Sequence, residues 1–304
     1  MPDNHKAPSP PTARVFAVLE ALAESSSSGL SLSEVSRELA LSTSTTASIL
    51  ATMDASGYVE RLPNRAYRLG PGLIRLLAGL RSRYPLLGAA DEELSRLSAV
   101  AGCGCTLARI NAEDLEVVLT VGTVDEFDTR VGQRMPLHPP HGSIAVAWRS
   151  PAKIDEWLSD APDPLAPNEI AAVHSTLAEI RERGYAVYNV KRDVQTMVHQ
   201  IRDLLGQADD HAPTEVLRRL LLSAVVGIGI YSSDELTDWR RRPVSYVIAP
   251  VFGPDEQPRY LVSLHIMRDA VSVADLNLYI EALVQTATTL TKVGGGSWPN
   301  RPLT

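Results

Sequence analysis

The chain has 304 residues, 44 % of them hydrophobic, which is enough for two domains with buried cores. Its formal net charge of −7 excludes a protein that coats nucleic acid by bulk charge, but leaves room for a local basic surface. No apolar run reaches the roughly 20 residues of a membrane span, the start "MPDNHKAPSPPTA" has no apolar signal core, and Cys103 and Cys105 are the only cysteines, so a cytoplasmic protein with reduced thiols and no membrane partner is expected.

Residues 1–11 read as a disordered arm, and three helices are expected between there and residue 57. In "ARVFAVLEALAE", Val15, Val18, Leu19 and Leu22 recur at helical spacing, with Thr12 as the N-cap. Ser31 and Glu34 have the spacing of a capping box and open a second helix, buried along Leu32, Val35 and Leu39. Leu41 and Ser42 make a turn. The third helix then buries Thr46, Ile49, Leu50 and Met53, shows Thr43, Ser44, Ala47 and Ser48 on its other face, and ends at Gly57. "YVERLPNRAYRLG" predicts two short strands around a Pro-Asn turn. Helix, helix, turn, helix and hairpin make an all-α winged helix-turn-helix with a β-hairpin wing, over residues 12–70.

A helix with that many hydroxyls on one face suits the major groove, where the N-terminal turn of a recognition helix meets bases and phosphates. Thr43, Ser44, Thr45 and Ser48 are short donor-acceptors that allow close approach to phosphate or base, with Ala47 on the same face. The competing reading is that Ser42 to Ser44 only cap the helix. The order of elements favours DNA, and a local basic surface is available: between Tyr58 and Arg83, Arg61, Arg65, Arg68, Arg75, Arg81 and Arg83 stand against one acid, Glu60. Arg61, Arg65 and Arg68, in the wing, are expected on phosphates.

"PGLIRLLAGLRSRY" predicts a linker helix over 71–84, led by Pro71 at its first position, with Leu73, Leu76, Leu77 and Leu80 on one face. From residue 85 to 293 the pattern changes. "DEELSRLSAVAG" reads as a helix, and "CTLARI" and "EVVLTVG" as strands joined by "NAED". A helical middle follows, then the strand pair "SYVIAPVF" and "RYLVSLHIM" around "GPDEQP". A long closing helix carries Leu276, Tyr279, Ile280, Leu283 and Val284 on one face. This is an α+β domain with an antiparallel sheet. Two apolar helical patterns at about 190–228 predict a helical hairpin, and 294–304 a flexible tail.

The stretch "GLSLSEVSRELALSTSTTASILATMDASGYVERLPNRAYRLGPGLIRL" resembles the IclR family of bacterial transcription regulators. Ser44 and Thr45 match the Ser-Thr pair at the head of the family's third helix, and Gly57, Tyr58, Val59, Tyr67, Arg68, Leu69 and Gly70 match its wing. "GQRMPLHPPHG", "IRERGYAV" and "VIAPVFGPDEQPRYLVSL" look like its later landmarks and stand in family order. The resemblance implies a GAF-like effector domain that takes a small, often carboxylate-bearing molecule, and a homodimer or homotetramer on double-stranded operator DNA, with no cofactor. Two departures stand out. The family often has Lys or Arg where Thr43 stands and Arg where Ser48 stands, so this third helix lacks a base; and the helical hairpin at 190–228 is an insertion.

The expected effector contacts follow from the loop "GQRMPLHPPHGSIAVAW". Pro139 and Pro140 stiffen it, His138 and His141 flank them, and Gly142 and Ser143 open a helix whose N–H groups suit an anion. Ser245, where the family often has Cys, together with Ser263 and Cys105, completes the set. His138 and His141 with Cys103 or Cys105 lack the spacing of a zinc signature, so no metal is expected. No catalytic motif is present: no Walker loop, no G-x-S-x-G and no H-E-x-x-H. The alternative reading is an enzyme, or a protein-interaction module that uses the winged helix for assembly.

Overall fold

The computed structural model describes residues 9–25, 28–123, 129, 131–137, 139, 142–161, 164–190 and 228–299. The chain divides into two units, Met1–Tyr84 and Pro85–Thr304.

The first unit runs α1 (Pro10–Glu24), β1 (Leu30–Ser31), α2 (Leu32–Glu38), α3 (Thr43–Ala55), β2 (Val59–Arg61), β3 (Ala66–Leu69) and α4 (Gly72–Arg83). Helix α1 begins before Thr12, with Ser9 as N-cap and prolines in the first two positions, because their fixed φ suits a helix start. The capping box of α2 forms as its spacing requires: Glu34 N donates to Ser31 Oγ (3.3 Å), and Ser31 N to Glu34 Oε2 (2.7 Å). Hydrogen bonds to that carboxylate from the Ser31 hydroxyl and then from the Ser31 N–H hold the Glu34 carboxyl below its ordinary pKa. Thr46, Leu50 and Met53 are the buried residues of α3. Gly57, at φ +76°, closes it in the left-handed region that glycine enters without cost. Val18, Leu22, Val35, Leu50, Met53, Val59 and Tyr67 form the core. Strand β1, only two residues long, adds to the hairpin in the order β1-β3-β2, pairing Leu30 with Tyr67.

Helix α4 starts against the end of α3. Gly72 N donates to Gly57 O at 2.7 Å, and a Cβ on Gly72 would stand 2.6 Å from that same oxygen. Only glycine permits so close an approach. Further along, α4 leaves Ile74, Leu76, Leu77 and Leu80 exposed, by 45 to 67 %.

The second unit runs α5 (Pro85–Ala101), β4 (Gly104–Ile110), β5 (Asp114–Val121), β6 (Arg134–Pro136), α6 (Ser143–Val146), α7 (Pro151–Ser159), α8 (Pro167–Arg183), β7 (Ala186–Val190), β8 (Ile228–Ile230), α9 (Ser233–Thr237), β9 (Arg242–Phe252), β10 (Pro258–Val271) and α10 (Val273–Val293). The strands form one antiparallel sheet in the order β6-β5-β4-β10-β9-β7-β8. The sequence predicts four of the seven; β6 and β8 have three residues each and β7 five, too few for a period of two to declare itself. Helix α5 reaches back to Pro85 because Leu86 and Ala90 continue the stripe of Leu94, Leu97 and Ala101.

Each face of the sheet is covered. Cys105, Leu107, Val247, Ala249, Val262 and Leu264 pack with Leu94, Leu97, Leu283 and Leu290 of α5 and α10. On the opposite face Ala186, Tyr188 and Leu261 pack with Ile144, Trp157, Leu177 and Ile180 of α6 to α8. Side-chain bonds lock this second layer: Arg181 Nε donates to Ala147 O (2.8 Å), and Trp157 Nε1 to Leu137 O (2.9 Å).

The helical hairpin expected at about 190–228 lies outside the described residues, apart from its two ends in β7 and β8. Beyond α10 the chain is not a free tail as far as Pro299. Trp298 packs edge-on against Phe252, with ring centroids 4.9 Å apart. A Cβ on Gly184, at φ +81°, would stand 2.8 Å from that indole.

Candidate DNA interface and effector site

Helix α3 divides its hydroxyls between structure and surface. Ser42 is the N-cap: its Oγ accepts from Thr45 N (3.2 Å) and is hydrogen-bonded to Thr45 Oγ1 (2.8 Å) and Ser44 Oγ (3.1 Å). Thr46 turns inward, donating to Ser42 O at 3.1 Å. Thr43, Ser44 and Ser48 are exposed, and Thr45 and Ala47 half-buried beside them. Capping therefore accounts for Ser42 and Thr46 and partly for Ser44 and Thr45. It leaves Thr43, Ala47 and Ser48 as surface.

The hairpin arginines differ in how they are held. Arg68 donates through Nε and Nη2 to Glu60 Oε2, at 3.2 and 3.1 Å, across the register that pairs Glu60 with Arg68. The Arg61 guanidinium lies over the Tyr67 ring, 5.8 Å from its centroid. Arg65 sits at the tip with φ +67°, in a turn where Asn64 Oδ1 accepts from Ala66 N (3.0 Å).

In the second unit, Ser263 sits between Val262 and Leu264 and so faces away from α5 and α10. Its register partner is Thr106, and that of Thr106 is Thr120. Three hydroxyl residues thus cross three strands in one row. His265, two residues beyond Ser263 on the same face, hydrogen-bonds Thr106 Oγ1 through Nε2 (3.1 Å) and meets Tyr246 edge-on, with centroids 5.1 Å apart. Thr120 Oγ1 is buried and has no hydrogen-bond partner among the described residues. Helix α6 packs over β9 and β10 on the side of Ile144 and Leu261.

Of the effector contacts expected from sequence, Ser143 is buried at the start of α6 and Ser245 is buried on β9. Gly142 has φ +79°, and a Cβ there would strike the Leu137 side chain at 2.9 Å. Helix α6 is a single turn of four residues, so the field at its start is weaker than that of a full helix. His138, Pro140 and His141 lie outside the described residues. Cys105 sits on the other face, donating its S–H to Leu94 O (3.2 Å) under α5, so it does not join the row. Burial pushes the Cys105 thiol up to about 12 and the Cys103 thiol up to about 11. Sequence reasoning missed Thr106, Thr120 and His265. The available signal was parity: His265 is two residues from Ser263, and Thr106 stands between the two buried apolar residues Cys105 and Leu107. Among the described residues, no group of three His, Cys, Asp or Glu side chains is arranged to hold a metal ion. No described helix is long and apolar enough to cross a membrane.

A helix-turn-helix unit with a hydroxyl-bearing third helix is an arrangement suited to the major groove of DNA. Residues 11–63 match the IclR helix-turn-helix domain. The HTH-type transcriptional regulator XynR of Escherichia coli K12 is 28 % identical over 172 residues, covering 52 % of this chain and 66 % of that protein, just under two thirds of its length. BhcR of Paracoccus denitrificans, also an HTH-type transcriptional regulator, is 27 % identical over 241 residues, covering 74 % of this chain and 85 % of that one. Among solved structures, an IclR transcriptional regulator from Alicyclobacillus acidocaldarius superposes with a TM-score of 0.59 at 20 % identity, covering 94 % of this chain and 99 % of that one. An IclR homologue from Microbacterium hydrocarbonoxydans, complexed with 4-hydroxybenzoate, gives 0.56 at 18 % identity, covering 94 % and 100 %. Over residues 11–63 the chain is thus similar to the IclR helix-turn-helix domain, and along most of its length it shares the fold of IclR-type regulators.

Proposed function

We propose that this regulator binds double-stranded operator DNA through α3 and the hairpin, which acts as a wing, and that a small carboxylate-bearing effector in a GAF-like second domain controls that binding. Thr43, Ser44, Thr45, Ala47 and Ser48 face the groove, and Arg61, Arg65 and Arg68 take phosphates. The observation that carries the effector reading is the row Thr120–Thr106–Ser263 with His265 beside it: hydroxyls and an imidazole crossing three strands of the sheet. Thr106 and His265 are buried there, Thr120 Oγ1 is buried with no partner among the described residues, and a ligand carboxylate supplies acceptors for more than one O–H group at once. Ser143 and Gly142 close the site from α6, whereas Ser245 shares the strand parity of Val247 and Ala249, which pack under α5 and α10, and so stands outside the row. His138, Pro140 and His141 belong to it on sequence grounds. The 4-hydroxybenzoate bound by the Microbacterium relative is a molecule of this chemistry.

The exposed stripe on α4 supports a homodimer or homotetramer, since a single helix does not leave four large apolar residues in water without a partner surface. This reading makes the protein a regulator rather than an enzyme: the row binds and does not react. The test is calorimetry on the full chain with benzoate, 4-hydroxybenzoate and short aliphatic carboxylates, beside a DNA shift assay with and without each. Thr106→Val and Ser263→Ala should weaken the ligand tenfold or more and leave DNA binding intact. Binding that ignores both changes removes the row from the site.

A further inference from the structure

Arg183, the last residue of α8, has a side chain only 10 % exposed. One of its nitrogens is well held. Nη1 donates to Tyr231 O (3.1 Å) and Ser233 Oγ (3.4 Å), and lies 3.6 Å from Glu179 Oε2. That carboxylate oxygen in turn accepts from Ser233 N at 2.6 Å. These contacts fix the plane of the guanidinium where α8 meets the β7–β8 edge of the sheet. The Tyr185 ring lies over it, 5.7 Å from centroid to Cζ. A ring face engages the flat of the cation and leaves its in-plane N–H groups unused.

The other edge is different. Nε and Nη2 are both buried, and neither has a hydrogen-bond partner among the described residues. These two nitrogens share one side of the guanidinium, and their N–H bonds point the same way. That fork has the spacing of the two oxygens of a carboxylate. Two buried, charged donors without acceptors are costly, whereas the same donors on a bidentate acceptor are favourable. Burial already pulls the Arg183 pKa down, against the pull of its neighbours.

We infer that the Nε–Nη2 edge of Arg183 is a binding site for a small monocarboxylate. The charge count selects the class. Glu179 already offsets part of the guanidinium charge, so a dianion such as phosphate meets more repulsion here than a monocarboxylate does. The site is separate from the hydroxyl row, which crosses β5, β4 and β10, and the two readings stand or fall independently.

Side-chain NMR on the full chain tests it. The Nε–Hε signal of Arg183, assigned through its own side-chain carbons, should shift on titration with acetate or benzoate and saturate. Chloride and inorganic phosphate at matched ionic strength should not reproduce this. Arg183→Lys keeps the charge and loses the fork, and should weaken the acetate-dependent rise in melting temperature at least tenfold. Ser263→Ala should leave the Arg183 shift unchanged. The inference is overturned if acetate moves the signal no more than chloride does, or if Ser263→Ala abolishes the shift, since the carboxylate then acts from the hydroxyl row. Should the lysine variant fail to fold, the wild-type titration and the Ser263→Ala control still decide the matter.

Discussion

Replacing Glu60 with Gln should make DNA binding tighter and more salt-sensitive. Arg68 gives both Nε and Nη2 to one oxygen of Glu60, and the two side chains are about half exposed, at 48 and 46 %. An exposed pair of this kind contributes about 0–1 kcal/mol, so the variant should melt within a few degrees of the wild type. Its effect on DNA is larger. Glu60 is the one acid among six arginines between Tyr58 and Arg83, and its removal frees a guanidinium on the proposed wing. Neutralising one more phosphate steepens the slope of log K against log salt by about 0.9. From about 50 to about 200 mM salt, a fourfold change, the variant should lose roughly 3.5 times more affinity than the wild type. Fluorescence anisotropy on a labelled duplex across that salt range reads this directly. A slope unchanged or shallower refutes the placing of the hairpin on the phosphate backbone.

Leu50→Ala empties a fully buried position in the first unit's core and should cost about 2–5 kcal/mol; circular dichroism should show an early transition and lost DNA binding, while a melt of unaltered stability removes Leu50 from that core. Because burial raises both thiols, Cys103 at about 11 should be roughly 0.1 % thiolate at pH 8, against about a quarter of a free thiol. A thiol-disulfide reagent should therefore label the native chain roughly a hundredfold more slowly than a free thiol and speed up as pH rises; rapid labelling at pH 7 contradicts the burial. Leu76→Glu with Leu80→Glu should turn an α4-mediated dimer into a monomer by sedimentation and reduce affinity for a two-half-site duplex. A wild type that is already monomeric sinks the dimer reading.

The first unit was largely written into local sequence. The Ser31–Glu34 spacing, the α3 face of Thr46, Leu50 and Met53, and the glycine at 57 each act within a turn or two of chain, so short-range rules reach them. In the second unit, local pattern announced the long strands and the stripe of α10, because alternation over many residues leaves little choice. What it left open was which side each parity faces. Cys105 and Thr106 are adjacent in sequence, yet one packs under α5 and the other joins a polar row, and only the helix layers decide which. His265 and Thr106 stand 159 positions apart and meet solely through the β4–β10 register. Likewise Arg68 meets Glu60 through the hairpin, Trp298 folds back onto Phe252, and Arg183 turns one edge of its guanidinium to Tyr231 and leaves the other without an acceptor among the described residues. A chain can encode the period of an element within a few residues; which surfaces two distant elements bury against each other is a property of the assembled layers, and there the candidate sites are made.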